Sequence, residues 1–207
     1  MVAAPVPVEP QAARAAVAEW LASVARSVPG KELKRLFAAH PVLATAIESI
    51  SESSPYLWEL VRADPARLAG LLQAAPEERL KATLQGTFEA VASAKGEEKA
   101  MALLRGMKAE AALLIALADI GGAWPLPRIT RALTDLADRG VRGGVRFLLR
   151  YAAARGKFKP VERGAPEKGS GYAVIAMGKM GAFELNYSSD IDLIVFYHPQ
   201  APALPPD

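Results

Sequence analysis

Apolar residues recur at helical spacing through most of this chain and at strand spacing only near its end. Val17, Trp20, Leu21, Val24 and Val28 form a first stripe, and Pro29-Gly30 is expected to end that helix. Leu33, Leu36 and Phe37 mark a short second helix; Pro41 opens a third with Val42, Leu43, Ala46, Ile47 and Ile50. Ser54-Pro55 and Asp64-Pro65 each set an N-cap residue before a proline at the first helical position, where a missing N–H costs nothing. Leu57, Leu60 and Val61 follow the first of these signals, and Leu68, Leu71 and Leu72 the second. Leu80, Leu84, Phe88 and Val91 make another stripe, ending near Gly96.

Two longer helices are predicted next. One covers 97–119, with Met101, Leu104, Ala111, Leu114, Ile115 and Ala118 inward, and stops at Gly121-Gly122 before a stiff Trp124-Pro125-Leu126-Pro127 corner. The other covers 128–154, where Ile129, Leu133, Leu136, Ala137, Gly140, Val141, Gly144, Val145 and Leu148 hold a 3.6-residue period. Gly140, Gly143 and Gly144 each weaken a helix by about 1 kcal/mol against alanine, so close helix–helix contact is expected there. The stretch from 155 to 171 is polar, basic and rich in glycine and proline, the texture of a linker or surface loop. Two β-rich runs follow, YAVIAM and DIDLIVFY, before a proline-rich exit. The fold class is therefore α+β: a disordered lead-in over 1–11, a helical region over 12–155, a linker over 156–170, and the start of a sheet-containing domain over 171–207. Two strands alone do not make a stable sheet. Either the helices cover this pair, or the chain is the front of something longer, which is the reading we favour.

Composition narrows the setting. Apolar residues make up 51% of 207, enough for a sizeable core. A net charge of +3 is too small to imply nucleic-acid binding. With no cysteine, disulfide scaffolds and cysteine metal sites are excluded. The proline-broken N-terminus is not a secretory signal, and the longest apolar run, Ala111–Ala118, is too short to span a bilayer. A cytoplasmic protein without membrane partners is expected.

The chemistry concentrates in residues 171–197. Asp190 and Asp192 stand two apart on the second predicted strand, so both carboxylates are expected on one face. Such a pair repels unless a positive charge lies between, and a hard divalent cation, Mg2+ or Mn2+, suits oxygen ligands and shares them with phosphates. Gly178 and Gly181 flank Lys179; glycines let backbone N–H groups approach an anion and the lysine adds a charge. Ser188 and Ser189 precede the acidic pair, where they turn the chain or bring a hydroxyl near a phosphate. An Asp-x-Asp by itself is as often a strand end facing water. Other readings fail on residues: Ala173 and Met180 exclude a P-loop, His40 and His198 are too few for a histidine site, and Trp20, Trp58 and Trp124 fit a core. Arg105 and Lys108 lie one turn apart and read as a solvated helix face.

Context sharpens the motif. A strand ending in Met177-Gly178, a short connector, then Asp-x-Asp resembles nucleotidyltransferases related to DNA polymerase beta. The wording GKMGAFELNYSSDIDLI then resembles the glutamine synthetase adenylyltransferase/adenylyl-removing enzyme family, with Asn186–Ser189 similar to its N-terminal, adenylyl-removing copy. SSPYLWELVRADP (53–65) and LLRGMKAEAALLIALADIGG (103–122) extend the likeness more weakly. Met180, Ala182 and Phe183 depart from the usual leucine, glycine and arginine, and the arginine's loss removes a phosphate-side charge.

The resemblance implies phosphorolysis of adenylyl-tyrosine on glutamine synthetase. It implies Mg2+ or Mn2+ held by Asp190 and Asp192 as catalytic and metal-ligating residues. It further implies ATP or ADP as nucleotide, with phosphate contacts from Gly178, Lys179, Gly181, Ser188 and Ser189. Glutamine synthetase and a PII-type signalling protein are the implied partners, with no nucleic acid. In this fold a third carboxylate comes from a later strand, and the chain is expected to be an N-terminal part that lacks it. The alternative is a non-catalytic helical module that docks glutamine synthetase or the PII-type regulator and is inert as it stands. An RNA or antibiotic nucleotidyltransferase shares the generic motif but not the NYSSDID wording.

Overall fold

A computed structural model describes residues 4–201 and 203. Residues 1–3 of the expected disordered lead-in and half of the proline-rich exit, 202 and 204–207, lie outside the described residues. In the described part of the lead-in, Val8 N and Glu9 N donate to the Glu52 carboxylate at 2.7 and 2.6 Å. Eight helices come first: α1 (Pro10–Val24), α2 (Val28–Ala39), α3 (Pro41–Ser53), α4 (Pro55–Ala63), α5 (Pro65–Gln73), α6 (Pro76–Ala92), α7 (Glu97–Ile120) and α8 (Leu126–Ala154). Then come β1 (Tyr172–Ala176), the single turn α9 (Gly178–Gly181) and β2 (Leu193–Tyr197). The described residues are mostly helical with a two-stranded sheet, as an α+β class requires.

Residue contacts divide the chain into two compact units. One takes Met1–Lys81 and Ala109–Ile129, the other Ala82–Lys108 and Thr130–Asp207. In the first unit the capping signals work as the sequence predicts. The Ser54 hydroxyl accepts from Leu57 N at 3.4 Å, and the Asp64 carboxylate accepts from Arg67 N at 2.9 Å, each ahead of a proline in the first turn. Leu33, Ile47, Ile50, Val61 and Leu68 are sealed from solvent here, each contributing about 1.5–3 kcal/mol of burial. Trp20 meets Trp58 edge-on, with ring centroids 5.6 Å apart. From Ala111 to Ala118 every residue of α7 is buried, as a helix apolar on all sides demands.

Pro29-Gly30 begins a helix instead of ending one. The Ser27 hydroxyl caps α2 by accepting from Gly30 N at 3.1 Å, and Pro29 sits in the first turn, where its locked φ suits a helix. A Cβ on Gly30 would lie 2.0 Å from Val24 O, so the turn between α1 and α2 needs glycine there. Val28 is accordingly not on the first stripe and is exposed, and Met101 and Leu148, expected inward, are also exposed.

The second unit packs α8 against α6 and the first half of α7. Val91, Ala100 and Phe147 form its buried cluster, with Leu103, Leu104 and Tyr151 against it. The α8 glycines are looser than expected. A Cβ on Gly143 would meet Val91 at 3.6 Å, one on Gly140 would meet Met107 at 3.8 Å, and one on Gly144 would meet nothing within 4 Å. These are ordinary contact distances, so close approach does not explain the three glycines. The polar stretch after α8 is packed: Phe158, Ala165 and Pro166 are buried, and Arg146 of α8 forms an ion pair with Glu167.

β1 and β2 pair antiparallel, with Tyr172 opposite Tyr197, Val174 opposite Val195 and Ala176 opposite Leu193. Every residue of β2 is exposed, so the described helices do not cover the strand pair.

Candidate functional site

The site is built on the two chain reversals between β1 and β2. At the end of β1 the chain turns sharply at Gly178, whose φ of +52° lies in the left-handed region that glycine adopts without penalty. Gly181 closes the turn. A Cβ there would fall 2.5 Å from Ala176 O, so the backbone of β1 leaves no room for a side chain. Four successive backbone bonds tighten the reversal: Gly181 N to Met177 O at 3.0 Å, Ala182 N to Gly178 O at 3.0 Å, Phe183 N to Met180 O at 3.2 Å and Glu184 N to Lys179 O at 2.8 Å. Lys179 projects from it into solvent.

The second reversal is Asn186–Ser189. The Asn186 side-chain oxygen accepts from Ser188 N at 3.2 Å and from the Ser189 hydroxyl at 2.7 Å. The Ser189 hydroxyl in turn accepts from Asn186 N at 3.2 Å. Both serines therefore build the turn that delivers Asp190. This supports the turn-forming role weighed for them; their hydroxyls lie immediately before the acidic pair.

The strand itself is shorter than the sequence suggests. Asp190 and Asp192 precede β2, which begins at Leu193. In the observed register Leu193 faces Ala176, so Ile191 would have to pair with Gly178, which has already left the sheet for the turn. The period-two argument for a shared face thus has no ladder under Asp190. Tertiary structure brings Asp192 to the glycine turn by another route. Met177 N donates to Asp192 O at 2.9 Å, and a Cβ on Gly178 would sit 3.3 Å from Asp192 Oδ2. The Asp192 carboxylate lies over the turn at the one residue that leaves it space. Asp190 and Lys179 are exposed beside it in sequence, open to an approaching ligand.

Two side chains of α8 support this loop, and the motif does not contain them. Thr134, buried, donates its hydroxyl to Thr130 O at 2.9 Å and accepts from Leu185 N at 3.4 Å. The Arg131 guanidinium lies 4.5 Å over the ring of Phe183, a non-glycine residue at φ +61°. A cation thus stands over the position where the resemblance places an arginine. Thr134 had one available signal: it is a hydroxyl inside an apolar stripe, and a buried hydroxyl needs a partner. Arg131 had none, because a helix-surface arginine beside an aspartate one turn away reads as an ordinary ion pair, which it also makes with Asp135 at 2.9 Å.

The donor chemistry fits a hard cation. Asp190 and Asp192 offer carboxylate oxygens only, and the space above Gly178 keeps Asp192 unencumbered. Among the described residues no group of three or more histidine, aspartate or glutamate side chains gathers to hold a metal. None of the described helices is long and apolar enough to cross a membrane.

Comparison with known proteins identifies the family. Residues 44–204 match the family described as glutamate-ammonia ligase adenylyltransferase. A bifunctional glutamine synthetase adenylyltransferase/adenylyl-removing enzyme of Rhodopseudomonas palustris (strain BisB5) is 54% identical over 198 residues, covering 96% of this chain and 20% of that protein. Proteins of the same name from Bradyrhizobium diazoefficiens (52% over 188 residues) and Xanthobacter autotrophicus (48% over 165 residues) cover 91% and 80% of the chain, and 19% and 17% of their own length. The chain spans about one fifth of the length of the R. palustris relative. No solved structure matches it. With the family match running from α3 through both chain reversals and past β2, the chain belongs to the glutamate-ammonia ligase adenylyltransferase family.

Proposed function

We propose that residues 171–197 form the glycine-turn and acidic-pair portion of a DNA polymerase beta-like nucleotidyltransferase site that serves deadenylylation of glutamine synthetase. The observation that carries this reading is the placement of the Asp192 carboxylate over Gly178, with Met177 N bonded to Asp192 O. A phosphate held at the turn and a cation held by the carboxylates would then be neighbours.

In the proposed reaction an oxygen of inorganic phosphate attacks the phosphorus of the adenylyl group. The bond from that phosphorus to the tyrosine oxygen breaks, the tyrosine regains a proton, and ADP leaves. Asp190 and Asp192 would hold Mg2+ or Mn2+, which when bound neutralises charge on the transferred phosphoryl group. The turn at Gly178–Gly181 and Lys179 orient phosphate oxygens, and the Asn186–Ser189 turn holds the acidic pair in reach. Arg131, over Phe183, adds positive charge to the same loop. The names of the relatives support glutamine synthetase as the protein substrate. A PII-type regulator, a cytoplasmic setting and a role in nitrogen assimilation complete the proposal.

A second reading is favoured by one fact: no group of three or more candidate metal ligands gathers among the described residues. In it the chain as it stands is a helical docking module for glutamine synthetase or its regulator, and turns nothing over. Adenylylated glutamine synthetase, phosphate and Mg2+ incubated with this chain should then release little ADP. In a protein of the relatives' full length, Asp190→Asn should abolish metal-dependent ADP release while the far-ultraviolet circular dichroism stays unchanged. Near-normal release by that variant would overturn the assignment.

A further inference from the structure

We propose a second anion site in the second unit, of phosphate class, that shares no residue with the glycine turn or the acidic pair. It is a cavity of about 420 Å³ where the end of α6 meets the last turns of α8. Three cations line it, Lys95, Arg150 and Arg155, and among the described residues no carboxylate does. Lys95 and Arg150 are exposed and form no ion pair among the described residues. Like charges that converge without a partner repel one another, and an anion between them removes that cost.

The aromatic side chains define what kind of anion fits. Phe147 and Tyr151 stack with centroids 5.6 Å apart and planes 22° from parallel. The Arg155 guanidinium covers Tyr151 from 4.2 Å and donates to its hydroxyl. Tyr151 therefore has a ring on one side and a guanidinium as its other partner. It is not available as a platform for a nucleobase; it holds Arg155 in one place. A small polyanion suits such a cleft better than a stacking ligand.

Charge arithmetic agrees. Two helix C-termini, Ala92 and Ala154, reach the cleft, and each carries about half a negative charge. Three cations against about one unit of negative partial charge leave roughly two positive charges, the complement of a doubly ionised phosphate. The cavity is large enough for inorganic phosphate or for the phosphate end of a nucleotide, within the range of about 300–1,000 Å³ typical of ligand pockets.

The test uses this chain, labelled with 15N and titrated with sodium phosphate at constant ionic strength, with sodium chloride as reference. Saturable shifts are expected at the amides of 93–95 and 150–156. They should weaken at least about tenfold in a Lys95→Ala/Arg150→Ala double variant, which removes two charge-assisted contacts. They should persist in Asp190→Asn, which separates this site from the acidic pair. Both substituted side chains are exposed, so the variant is expected to fold, and its circular dichroism checks this. Arg150→Lys should keep part of the affinity. A parallel ADP titration identifies the source: tighter saturation than with phosphate points to a nucleotide, and equal or weaker saturation to free phosphate. Shifts no larger than those with chloride would overturn the proposal, as would saturation unchanged in the double variant.

Discussion

The amide of Met177 donates to the carbonyl of Asp192 across 2.9 Å, one step beyond the last paired residues of the sheet. This single bond joins the glycine turn to the acidic pair. It also puts the Asp192 carboxylate over Gly178, close enough that a methyl group on that glycine would crowd it at 3.3 Å.

Metal affinity should follow from that contact. Mn2+ added to this chain should broaden the NMR signals of residues 177–193, and Asp192→Asn should weaken the effect at least about tenfold. Gly178→Ala should weaken it too, with a cost to folding of about 1–2 kcal/mol for a left-handed alanine. Gly181→Ala has a different target, because its methyl would strike the Ala176 carbonyl. It should destabilise by about 1–3 kcal/mol in urea melts and disturb β1 as well as the turn. Broadening of wild-type strength in Asp192→Asn would refute the metal role.

Thr134 should report on the same loop from the helix side. Thr134→Val leaves the Leu185 amide without its side-chain acceptor at a buried position, at a cost of about 1–3 kcal/mol. Thr134→Ser keeps the hydroxyl and should recover most of that loss. Hydrogen exchange at Leu185 is the direct check: it should accelerate in the valine variant and stay near wild type in the serine variant.

The α8 glycines predict a gain. Gly144 has open space where a Cβ would go, so Gly144→Ala should stabilise by about 0.5–1 kcal/mol through helix propensity alone. Thermal unfolding measures it, and a lower midpoint would show that this glycine serves a contact the static structure does not contain.

Within the second unit, Arg146 ties the stretch after α8 back to that helix. Its guanidinium lies 4.6 Å over Phe88 and pairs with Glu167, holding that carboxyl below the usual glutamate range chiefly through their hydrogen bond. The folded state thus favours the ionised carboxylate. Its contribution is complete above the unfolded value of about 4.3 and is lost as pH falls through the lower folded value. Glu167→Gln should therefore cost up to about 1 kcal/mol at neutral pH and almost nothing near the acid end of the folded range. A cost independent of pH would mean that packing, not charge, makes the difference.

Helix content, the two capping signals at Ser54-Pro55 and Asp64-Pro65, the order of turn and acidic pair, and the family were all legible in the amino-acid sequence. Each of these depends on neighbours a few residues away, or on wording specific enough to recognise. Pro29-Gly30 shows the limit: the same dipeptide stops one helix or starts the next, and the Ser27 hydroxyl on Gly30 N decides which. The strand's start at Leu193, the buried Thr134 beneath the loop and the cation over Phe183 were decided only by tertiary structure. Thr134 and Leu185 stand 51 residues apart in sequence, and no local period encodes a hydrogen bond between them. Such contacts exist because α8 buries its apolar face, and whatever polar groups that burial carries inward must find partners where the fold happens to place them.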